Sequence, residues 1–120
     1  MTGRRDANPY MIRIVTEGAV THITPARKRL MIPDVELLFH DVIHQLEMGN
    51  LNLVLDFSEV EWACATTAGF LIELQGRLTK HGGSLRLQGV PDQLHQVLRM
   101  MGIEEKFQIL EPPRALRTAG

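Results

Sequence analysis

The chain has 120 residues, a formal net charge of −1, and a composition that is 44% hydrophobic and 22% charged. That length suits one domain with a real core, and the near-neutral charge gives no global basic field for nucleic acid. The single Cys64 excludes a disulfide framework, no apolar run approaches the ~20 residues of a spanning helix, and MTGRRDANPY lacks the apolar core of a secretory signal, so a soluble cytoplasmic protein is expected.

Residues 1–8 read as a flexible, polar N-terminus. Tyr10–Val15 alternates and reads as a strand, Glu17-Gly18 as a turn, and Ala19–Thr24 as the second strand of a hairpin. The stretch 25–33 (PARKRLMIP) is bounded by prolines and reads as a loop carrying Arg27, Lys28 and Arg29. Asp34 is the expected cap of a helix running to about Met48. Val35, Leu38, Phe39, Val42, Ile43 and Leu46 give that helix its apolar face, and Gly49-Asn50 closes it.

The apolar Leu51–Phe57 reads as a central strand, followed by a turn region up to Trp62. A second helix starts at Thr66 or Thr67, buries Phe70, Leu71, Leu74 and Leu78, and stops at Gly82-Gly83. Ser84–Gln88 is a strand. Pro91 opens a third helix with Leu94, Val97, Leu98 and Met101 on its apolar face, and Gly102 ends it. Phe107–Leu110 is a last short strand. The expected order is ββαβαβαβ, an α/β domain over 9–111 with a mixed, mostly parallel sheet of four to five strands and a tail at 112–120.

The segment from Asp56 to Phe107 resembles a STAS domain, the fold of bacterial anti-sigma factor antagonists. The likeness rests on a strand ending in Asp56, Val60 and Trp62, and the 64–69 loop opening a helix. Gly82-Gly83, Leu85–Val90, Pro91, and Met101-Gly102-Ile103 before Phe107 extend it without a gap. In that family the loop reads D-S-S-G-L-G. Here Cys64 stands at the Asp, Ala65 at the first Ser, Thr66 at the phosphorylated Ser, and Gly69 keeps its Gly.

The resemblance implies a non-enzymatic regulatory module. It would bind an anti-sigma factor of the GHKL serine/threonine kinase type and be switched by phosphorylation of Thr66, with Thr67 as the fallback acceptor. A phosphatase would reverse the switch. The implied partner surface is Cys64, Ala65, Thr66, Thr67, Ala68 and Gly69, joined by Arg27, Lys28 and Arg29 and flanked by Val90–Gln93. The alternative is a STAS subunit of a lipid-transporting ABC assembly, which needs no phosphorylation and tolerates the loss of the acidic residue.

From the residues alone, a hydroxyl at a helix start reads first as a simple cap; it is also a place where an added phosphate is tolerated by free N–H groups and the helix dipole, the reading that the resemblance brings forward. Cys64 has no base beside it in sequence and reads as a small apolar residue. His40 and His44 have metal-ligand spacing on a helix, but no third ligand is evident and they read as a solvated face. No phosphate-binding glycine motif, Ser-His-Asp order or carboxylate pair is present, so neither an enzyme nor a cofactor is expected.

Overall fold

The computed structural model describes residues 12–110. The expected flexible end and tail, with Tyr10 and Met11 of the first strand, lie outside the described residues. Five strands form the main sheet: β1 (Ile12–Glu17), β2 (Val20–Pro25), β4 (Asn52–Asp56), β6 (Ser84–Gln88) and β7 (Gln108–Leu110), in the order β1-β2-β4-β6-β7. Only the β1–β2 hairpin is antiparallel; the other neighbours are parallel. Three helices cross between strands: α1 (Ile32–Glu47), α2 (Thr66–Lys80) and α3 (Asp92–Met100), with a 3-10 turn at Glu104–Lys106 before β7.

Side-chain alternation decides where the core sits. In register, Ile23, Leu55, Leu87 and Ile109 share one face of the sheet, as do Leu53 and Leu85. These residues form one cluster with Leu38 and Val42 of α1, Leu71 and Leu74 of α2, and Leu94 and Leu98 of α3. The helices therefore cover this face, and the i, i+3, i+7 spacing of the sequence is what fills it. The other face carries Val15, His22, Val54, Arg86 and Gln108 in one row. Leu53, Val54 and Leu55 are all buried, as an unbroken apolar run in a central strand requires.

The structure corrects the stretch 25–33. Pro25 ends β2, and Arg29–Leu30 forms a short strand, β3, parallel to a second one, β5 (Trp62–Ala63). The turn expected before Trp62 is present at residues 58–61, and the chain then enters the small second sheet at Trp62–Ala63. Leu30 is fully buried, so of the apolar residues after the basic run only Met31 and Ile32 are exposed. Helix α1 begins at Ile32, with Pro33 in its first turn, where a missing N–H costs nothing. Asp34 is not the cap residue. It lies three residues in and accepts the Met31 backbone N–H at 2.9 Å, the reciprocal half of a capping box.

At the third helix Pro91 is the cap itself, and Met101 lies past the helix end with 50% of its surface exposed, so it is not on the apolar face.

Candidate functional site

The loop 64–69 is held from both sides by backbone and side-chain bonds. On one side, Trp62 N–H donates to the Lys28 carbonyl at 3.1 Å and Cys64 N–H to the Leu30 carbonyl at 2.9 Å. On the other, no strand is available. Gln93, in the first turn of α3, supplies the missing partner: its amide oxygen accepts the Ala63 N–H at 2.8 Å and its amide nitrogen donates to the Ala63 carbonyl at 2.9 Å. One side chain thereby completes the pairing of a buried edge residue, which would otherwise carry two unsatisfied groups. Gln93 thus does more than flank the loop: it holds the residue just before it. The clamp joins residues 30 apart and has no local sequence signal.

Helix α2 starts without a side-chain cap. Ala65 is the cap residue, in a right-handed helical conformation, and Thr66 is the first helical residue. Thr67 N–H donates to the Cys64 carbonyl at 2.9 Å and Ala68 N–H to the Ala65 carbonyl at 3.0 Å, so the backbone satisfies its own first turn. The capping role open to Thr66 from sequence is thus unused: its side chain makes no cap bond.

The six loop residues divide by exposure. Ala65, Thr66 and Gly69 are exposed, Cys64 is half-buried, and Thr67 and Ala68 are fully buried. The Thr67 hydroxyl faces inward, 4.0 Å from the Cys64 sulfur. Thr67 cannot accept a phosphate in the folded state, since that would place a charge of about −1.5 to −2 inside the core; neither it nor Ala68 can touch a partner.

The second sheet brings the basic segment beside this loop. Arg29 stacks its guanidinium 4.7 Å from the Trp62 ring centre, across the β3–β5 pair. Arg27 lies 3.5 Å from Asp34, and Lys28 is exposed. Two of the three cations are therefore engaged within the chain.

Between the N-terminal halves of α1 and α2 lies an open groove of about 610 Å³ that includes Ala65, Thr66 and Gly69. His40 and His44 point to solvent from α1, and His40 lies 3.6 Å from Asp41. Among the described residues no group of three or more His, Cys, Asp or Glu is placed to hold a metal ion. Among them, too, no helix is long and apolar enough to cross a membrane.

A family model described as "Mlab, STAS domain" matches residues 28–112, well over half of the chain. The chain belongs to the STAS domain family. Solved structures agree on the fold. An anti-sigma factor antagonist (STAS) domain protein from Planctomyces limnophilus matches with a TM-score of 0.72 at 22% identity, covering 90% of this chain and 96% of its own. An anti-sigma factor antagonist from Mycobacterium paratuberculosis matches with a TM-score of 0.75 at 15% identity, covering 91% and 92%. The Bacillus cell fate determinant SpoIIAA in its phosphorylated form matches with a TM-score of 0.68 at 11% identity, covering 91% and 99%. No curated protein matches the sequence significantly. The STAS assignment fixes the α/β architecture; at these identities it carries the fold and not the partner.

Proposed function

We propose that this STAS domain is a non-enzymatic, cytoplasmic regulatory module that binds a GHKL-type kinase acting as an anti-sigma factor. Phosphorylation of Thr66 releases the complex, and a phosphatase restores it. The observation that carries this reading is the placement of Thr66: exposed, first in its helix, free of any capping bond, and flanked by the small exposed residues Ala65 and Gly69.

A phosphate there suits the isolated domain. The positive end of the helix dipole favours an anion by about 0.3–1 kcal/mol. It does not suit a closed interface. Small residues let a partner approach the α2 backbone closely, and a phosphate would add bulk and a hydration shell that close contact must strip. The switch is therefore a change in the complex rather than in the domain.

The test uses the purified chain and a candidate kinase of that class. Thr66→Ala should keep binding, Thr66→Glu should weaken it at least tenfold, and incubation with ATP should place phosphate on Thr66, read by mass spectrometry. A chain left unmodified, and bound equally in both variants, would sink the proposal.

One observation favours a second reading, a STAS subunit of a lipid-transporting ABC assembly. The family's acidic loop position is the half-buried Cys64, so the loop is built without the carboxylate that accompanies the family's acceptor. Stable association with an ATPase subunit, unchanged in Thr66→Glu, would establish it.

A further inference from the structure

Helix α1 carries Asp34, Glu36, Asp41 and Glu47 and no lysine or arginine. Two of these carboxylates are engaged, Asp34 by the Met31 N–H and Arg27, and Asp41 by its neighbour His40. Glu36 is exposed and, among the described residues, makes no ion pair. It stands on the rim of the groove between α1 and α2. Glu73 of α2 also lines that groove.

The floor between these carboxylates is apolar: Val35, Phe39, Phe70 and Met101, with the bare backbone of Gly69. Phe39 and Phe70 meet edge to face, with ring centres 5.3 Å apart, which fixes the floor's shape. A side chain at Gly69 would meet nothing within 4 Å, so the fold itself does not require the opening there.

The protein already sets a cation against one aromatic ring of this floor, just outside the residues that line the groove. Its own Arg77 lies with the guanidinium 5.7 Å from the Phe39 ring centre and donates to the Glu73 carboxylate at 2.8 Å. A cation held over an aromatic face and against a carboxylate is a favourable pairing. Glu36 is the second carboxylate lining the groove and makes no ion pair among the described residues.

We infer that the α1–α2 groove is the docking site for a partner protein segment that combines one large apolar side chain with neighbouring lysines or arginines. The apolar side chain fills the floor over Phe39 and Gly69, and a cation meets Glu36, the rim carboxylate that makes no ion pair among the described residues, Glu73 being held by Arg77. The acidic rim disfavours anionic partners such as a phosphate-rich membrane surface. This deepens the reading of the 64–69 loop as a partner surface and rests on it, because Thr66 and Gly69 line both.

The experiment is a nuclear magnetic resonance titration of the full chain with three synthetic peptides. The first carries one tryptophan among lysines, the second replaces tryptophan by serine, and the third replaces lysine by glutamate. The first should shift the amide signals of Phe39, Gly69, Glu73 and Met101, with an affinity that falls as salt rises. The other two should bind at least about tenfold more weakly, as loss of the anchor or of charge complementarity demands. In the double variant Glu36→Lys, Glu73→Lys, preference should turn from the basic peptide to the acidic one. Should that variant not fold, Glu36→Gln, at an exposed unpaired position, should still weaken the basic peptide severalfold.

The inference is overturned if the basic peptide shifts no groove signals, or if the charge of neither peptide nor rim changes its binding. Thr66→Glu separates the two readings. It adds negative charge to the groove and should leave the basic peptide bound at least as tightly, while a kinase closed over the loop is expelled. Peptides that fail while a kinase still responds to Thr66→Glu overturn the groove alone. Peptides that bind as expected, with no kinase binding, overturn the regulatory reading alone.

Discussion

The two ends of α2 are built on opposite principles. Its C-terminal end is closed. Gly82 N–H donates to the Thr79 carbonyl at 3.1 Å and Gly83 N–H to the Leu78 carbonyl at 2.7 Å, a double turn that needs the positive φ of 77° at Gly82. Gly83 then passes so close to the start of β4 that an added Cβ would lie 2.3 Å from the Leu51 carbonyl oxygen. At the N-terminal end, Ala65, Thr66 and Gly69 leave the helix surface bare, with open space where a Gly69 side chain would be. Glycine at one end serves the fold. At the other it serves nothing inside the chain, and so marks the end that meets something outside it.

The sharpest way to break this comparison is a charge at adjacent positions of the open end. Thr67→Glu buries a carboxylate where the wild-type residue has no exposed surface and should cost about 3–5 kcal/mol, enough to unfold a marginal domain. Thr66→Glu should change stability by no more than about 0.5 kcal/mol, because the site is exposed and the helix dipole is favourable. Urea denaturation followed by circular dichroism reads both. Equal effects would mean that the two threonines are not on opposite sides of the surface.

At the closed end, Gly83→Ala should cost about 1–3 kcal/mol, since the new methyl group collides with backbone that cannot swing away. A value near zero would show that the β4 start is loose.

Gln93→Leu tests whether the open loop is itself held rigidly from beneath. It strands two backbone groups of Ala63 and should cost about 1–3 kcal/mol. Amide exchange at Ala63 and Cys64 should quicken with it, and unchanged exchange would show that the clamp is dispensable.

The smallest effect carries the opposite sign. Gly69→Ala and Gly76→Ala, both in the interior of α2 with nothing within 4 Å of an added methyl, should each stabilise the domain by about 0.5–1 kcal/mol. If Gly69→Ala stabilises the domain and weakens a partner, the bare surface is functional; if partner binding is untouched, the contrast between the two ends loses its meaning.

Much of this arrangement was legible in the residues. Val35, Leu38 and Val42 recur at helical spacing, and Leu53, Val54 and Leu55 form an unbroken run, because burial on one helical face or on both faces of a strand dictates those periods. The loop 64–69 was legible as a contiguous motif at a strand-to-helix passage. What escaped was non-local. Strands of two residues, such as Arg29–Leu30 and Trp62–Ala63, have no period to detect. Pro33 fits a loop boundary and a helix start alike, because proline opens a helix's first turn as readily as it ends a loop.

Sequence by itself determined the order of the main-sheet strands and the three helices, most of the apolar faces they bury, and the family motif at 64–69. These follow from local propensity and from the need to bury apolar faces, which every stretch of chain expresses on its own. Only the tertiary structure decided that Thr66 is exposed and Thr67 is not, that Gln93 holds the loop, and that Glu36, Phe39 and Gly69 share one groove. Those facts depend on how separate elements are rotated and brought together, and a turn of one residue along α2 exchanges inside for outside.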